Sequence, residues 1–125
     1  SMNNYSFQLP TTWSMLEAQF YGIAGVFDTS FPDNPPVRFN YTDQALSQVN
    51  ASLPLMRTNL RTSAKVVGFN QTVQIVLQNT AFVRVENHPI HLHGFDFYVL
   101  AQGFGNYNPS AAPRMFNLVN PQKRN

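Results

Sequence analysis

The sequence predicts an all-β domain, an antiparallel sandwich with one short helix near the N-terminus. Three observations carry this. Short segments alternate β-branched or aromatic side chains with polar ones, as in Val73-Gln74-Ile75-Val76-Leu77-Gln78. Clusters of Gly, Pro, Asn and Asp separate these segments and supply turns. One stretch alone carries helix signals, Ser14-Met15-Leu16-Glu17, which fits a capping box with Ser14 as N-cap.

The elements follow in chain order. Tyr5 to Leu9 alternates and reads as a short strand. The capping box starts a short helix or helical turn from about Met15 to Tyr21, which ends near Gly22. Gly25 to Pro36 is rich in Gly, Asp and Pro and reads as an irregular loop, with Asp28 and Asp33 as turn formers. Val37 to Tyr41 is a strand, and Thr42 to Pro54 is polar without a strong period. Thr72 to Gln78 is a half-buried strand, and Phe82 to Val85 a shorter one. His91 to Gln102 is a long strand, Gly103 to Pro113 a loop, and Met115 to Val119 a last strand.

Composition narrows the function classes. A chain of 125 residues is at most one domain, and 43% apolar content, with 11 Phe, suffices for a core. Charged residues make up 11% and the formal net charge is +2, so the pI near 9.2 reflects few ionisable groups and no nucleic-acid surface. Lys123-Arg124 is the one adjacent basic pair and reads as a solvated tail. No stretch is apolar enough to span a membrane. Ser1-Met2 resembles a cleavage scar, and no signal peptide opens the chain. With no cysteine, disulfides say nothing about compartment. Four Asn-x-Ser/Thr sequons, at Asn4, Asn40, Asn50 and Asn70, are candidate N-glycosylation sites and favour a secretory history.

The chemistry concentrates in His88-Pro89-Ile90-His91-Leu92-His93-Gly94. All three histidines fall within six residues. Neutral imidazole is the commonest metal ligand and suits copper, zinc and iron. If the segment is extended, His91 and His93 share a face and can reach one metal centre, while His88 has the opposite parity. Gly94 allows close approach of a backbone or ligand. Asp96 is either an acceptor that orients an imidazole N–H or a solvated strand residue. Glu86 reads as a surface carboxylate, and Met56 and Met115 as gap-filling core residues.

The run from Glu86 to Pro109 resembles the third cupredoxin-like domain of plant laccases, which are secreted multicopper oxidases. Tyr21-Gly22-Ile23, Gly25-Val26-Phe27, Phe31-Pro32, Pro35-Pro36-Val37, Val73 to Gln78 and Phe116 to Pro121 resemble it too. Ile90 and Gly103-Phe104-Gly105-Asn106 fit laccase better than ascorbate oxidase, the nearest competitor. The resemblance implies a cupredoxin-like (plastocyanin-like) Greek-key β-sandwich. It implies His88 as a type 1 copper ligand, His91 as a type 2 ligand and His93 as a type 3 ligand. It implies copper as cofactor, phenols or lignin precursors and O2 as substrates, and an extracellular, apoplastic location.

The family's His-Cys-His motif, with the type 1 thiolate, is absent from this cysteine-free chain. A blue copper site needs that thiolate. Residues 1–125 are therefore expected to be a single partial domain, incomplete at its C-terminus and inactive alone. It would need the remaining laccase domains as partners and be prone to self-association through an unpaired edge. A non-catalytic structural or binding protein derived from the same family is the alternative.

Overall fold

The computed structural model describes residues 1–40, 42–43, 57–79 and 86–125. The chain divides into two compact units, Ser1–Arg38 with Gln48–Val76, and Phe39–Ser47 with Leu77–Asn125. The described residues are mostly non-helical, with two small sheets.

In the first unit, strand β1 (Tyr5–Phe7) pairs with β2 (Asn59–Arg61). The pairing is parallel, in the register Tyr5↔Asn59, Ser6↔Leu60, Phe7↔Arg61, where an antiparallel partner was expected. Parallel pairing demands a long connection, and the segment between the strands is ample. Side chains reinforce the ladder. Ser6 Oγ donates to Thr58 Oγ1 at 2.9 Å, and Arg61 Nη1 donates to the Tyr5 hydroxyl at 3.0 Å. The Arg61 guanidinium also lies 5.3 Å from the Tyr5 ring centroid.

Helix α1 (Met15–Tyr21) follows the local signals closely. The Glu17 N–H donates to Ser14 Oγ at 3.2 Å, and Glu17 Oε2 accepts from the Ser14 N–H at 3.2 Å. Two orphan donors of the first turn are thereby satisfied. At the other end Gly22 sits at φ +66°, and both its N–H and that of Ile23 reach the Ala18 carbonyl. Ala18, 1% exposed, is the one buried apolar residue among those described, while Leu16 and Phe20 are each 80% exposed.

Asp28 ties the loop after the helix to the segment after β2. Its Oδ1 accepts from the Ser30 N–H at 2.9 Å, from Ser30 Oγ at 2.6 Å and from Ser63 Oγ at 2.6 Å. Its backbone N–H donates to the Thr62 carbonyl, and its carbonyl accepts from Ala64. So Asp28 forms the turn expected of it and a long-range clip besides. The Ser30 and Ser63 hydrogen bonds, with Arg61 nearby, hold its carboxyl at about 2, below the ordinary 3.8. A depressed folded pKa gives stability above the unfolded value, lost as pH falls through the folded one. Wild-type protein is expected to lose thermal stability between about pH 4 and pH 2. Asp28→Asn should be less stable at pH 5 and flatter over that window, as circular-dichroism melts at each pH would read.

In the second unit, β3 (Phe97–Val99) pairs antiparallel with β4 (Gln122–Arg124), in the register Phe97↔Arg124, Tyr98↔Lys123, Val99↔Gln122. Phe97 and Val99 are half-buried and Tyr98 is exposed, as alternation requires. The Asn117 N–H donates to the Leu100 carbonyl at 2.7 Å, just beyond the ladder.

Several expected strands are corrected. The long strand from His91 shrinks to β3, because Gly94, at φ +77°, turns the chain before it. Met115 to Val119 is no strand; a 3₁₀ turn covers Ala112–Met115, and the last strand is β4. Pro113 suits that first turn, where its missing N–H costs nothing. Residues 72–78 are not a strand either, and Val73, Ile75 and Leu77 stand exposed. Strand propensity reflects cross-strand packing, and among the described residues no ladder pairs with this segment. No strand runs through 37–40, while Tyr41 and the expected strand Phe82 to Val85 lie outside the described residues. So does most of Thr42 to Pro54.

Candidate metal centre

The histidine run leads into β3 from its N-terminal side. Residues 86–96 are exposed and irregular, and the chain turns at His93-Gly94, where the Phe95 N–H approaches the Leu92 carbonyl at 3.4 Å. Asn79 Nδ2 donates to the Glu86 carbonyl at 3.1 Å and holds the start of the run.

His91 and His93 come together. Their rings pack edge to face with centroids 5.0 Å apart. The two imidazoles meet without a strand to align them. His88 has a different neighbour: its Nε2 lies 3.6 Å from Glu86 Oε2. Glu86, read from sequence as a plain surface carboxylate, is thus the neighbour of an imidazole. Among the described residues no three His, Cys, Asp or Glu side chains converge as a metal-holding group.

Asp96 pairs with Lys123, Oδ2 to Nζ at 2.5 Å. This hydrogen bond and the charge of Asp96 raise the Lys123 pKa above its ordinary value, so the ammonium stays protonated. Lys123 was expected in a solvated tail. It is instead the middle residue of β4, opposite Tyr98. Nothing local in Gln122-Lys123-Arg124 signals a partner 27 residues away in sequence.

The candidate glycosylation sites fall in varied settings. Asn4 and Asn70 adopt positive φ, at 67° and 60°. Asn40 is exposed, and its Oδ1 accepts from the Thr42 hydroxyl and from Asn106 Nδ2, both at 2.7 Å. Asn50 lies outside the described residues.

The donor chemistry fits copper. Two exposed imidazoles with centroids 5.0 Å apart are borderline nitrogen donors, and among the described residues no hard oxygen cage accompanies them. Comparison with known proteins agrees in kind. The multicopper oxidase family model matches residues 30–125, and the chain belongs to that family. Over its whole length it is similar to particular plant enzymes of that family. It is 54% identical to Laccase-7 of Arabidopsis thaliana and 57% to Laccase-24 of Oryza sativa subsp. japonica. It is 49% identical to Laccase-9 of Arabidopsis thaliana. The chain spans about a fifth of the length of these relatives, 22% of the first and 21% of the other two.

Proposed function

We propose that this chain is the third cupredoxin-like domain, in part, of a plant-type laccase, and that it supplies imidazole ligands to that enzyme's copper centres. The pairing of His91 with His93 carries the reading. On it, His91 is a ligand of the type 2 copper, His93 of the type 3 pair and His88 of the type 1 copper. Copper, when bound, supplies the one-electron redox chemistry that links a phenol to O2.

The chain's own residues hold and orient. The turn at Gly94 carries the His93 side and the Asn79 contact carries the Glu86 side, so both ends of the run are tethered. Different neighbours for His88, beside Glu86, and for the His91–His93 pair suit a protein that serves two copper centres. Asp96 enters as a carboxylate three residues from His93 whose partner is Lys123.

Four sequons and the laccase relatives support a secreted, apoplastic glycoprotein with Greek-key sandwich topology. The other laccase domains are its natural partners. Exposed Leu60, Val73 and Ile75 make self-association part of the reading when those domains are lacking.

The test is a chimera. This segment replaces its counterpart in the Arabidopsis thaliana Laccase-7, to which it is 54% identical. The expected chimera oxidises a diphenol with O2 uptake and loses both on His91→Ala/His93→Ala. A folded, copper-loaded chimera without O2 uptake would contradict the reading.

A further inference from the structure

We propose that Lys123 is a positioning residue for the histidine run, acting through Asp96. The inference rests on the copper reading of His91 and His93. Three observations carry it. First, Asp96 ends the irregular segment that holds the histidines and immediately precedes β3. Second, strand parity puts Asp96, Tyr98 and the residue opposite Tyr98 on one face, and that residue is Lys123. Third, the pair is closed, Lys123 Nζ to Asp96 Oδ2 at 2.5 Å.

The physical consequence is local. The β3–β4 ladder begins at Phe97, so backbone pairing stops one residue after Asp96. Without the ion pair, nothing in the ladder fixes Asp96 or the chain that turns through His93-Gly94. With it, β4 grips the segment one residue further toward the histidines. Both partners are about half exposed, so the grip is modest. It tightens a pre-formed ligand pair and does not create one.

A positioning role differs in sign from a charge effect. If the two residues acted on a bound cation only through their charges, removing Lys123 would strengthen binding and removing Asp96 would weaken it. If they position the histidines, removing either weakens binding. The experiment titrates Cu(II) into the folded chain against a competing chelator, with electron paramagnetic resonance spectra of each sample. Lys123→Met and Asp96→Asn are each expected to weaken Cu(II) binding up to about fivefold. The double variant should be no worse than either single one, since they break one contact. Lys123→Arg and the charge exchange Asp96→Lys/Lys123→Asp should recover wild-type affinity and spectrum, which guards against a variant that merely misfolds.

Unchanged or tighter binding in Lys123→Met would overturn the inference, as would failure of both rescues. Wild-type affinity equal to that of His91→Ala/His93→Ala would instead overturn the copper reading beneath it.

Discussion

Copper-loaded chain is expected to consume O2 with a simple diphenol no faster than its His91→Ala/His93→Ala variant. The reason is compositional. On the proposed laccase reading, one-electron entry from a phenol would use a blue copper site, and such a site needs a thiolate beside its imidazoles. The chain has no cysteine. Nor do its described residues gather three ligating side chains in one place. His88 has Glu86 beside it, and His91 has His93; two part-sites do not make a relay. An oxygen electrode reads the rate, and sedimentation of the same samples reads association. Uptake well above the variant, in a sample that sediments as an oligomer, would mean that histidines pooled between copies replace the missing ligands.

The second large effect is on copper affinity itself. Loss of a group that only supports a metal ligand costs about 10- to 100-fold in affinity. Loss of both ligands of a two-imidazole site costs more, so His91→Ala/His93→Ala should weaken Cu(II) binding by over about 100-fold. His88→Ala should leave the tighter site nearly unchanged, because the ring pair is His91 with His93 and the neighbour of His88 is Glu86. A chelator-competition titration of the three proteins distinguishes them. Equal weakening by His88→Ala would mean that the three imidazoles act as one cluster.

What could be read from sequence was local. Ser14, Glu17 and Gly22 specify helix α1 through contacts spanning a few residues, and the helix runs from Met15 to Tyr21 as those signals require. The histidine run was legible for the same reason: three ligating residues within six positions need no tertiary information to be noticed. Strand extents and partners were not legible. Alternation in Val73 to Gln78 is a good strand pattern, yet a strand exists only where another pairs with it. Tyr5 against Asn59 and Tyr98 against Lys123 are pairings across long separations, which no periodicity encodes. His91 and His93 were expected on one face of a strand. Their rings do meet, but in an irregular segment that leads into the turn at His93-Gly94, with no strand to set their parity. Lys123 looked like tail because its partner Asp96 lies far upstream, and Asp28 looked like a turn former because Ser63 lies far downstream.

The most direct test of imidazole ligation is pulsed electron paramagnetic resonance on the Cu(II)-loaded chain at one equivalent of copper. The expected spectrum carries nitrogen modulation from two coordinated imidazoles, which vanishes in His91→Ala/His93→Ala and persists in His88→Ala. Modulation that survives in the His91→Ala/His93→Ala variant would contradict a copper site built on that pair.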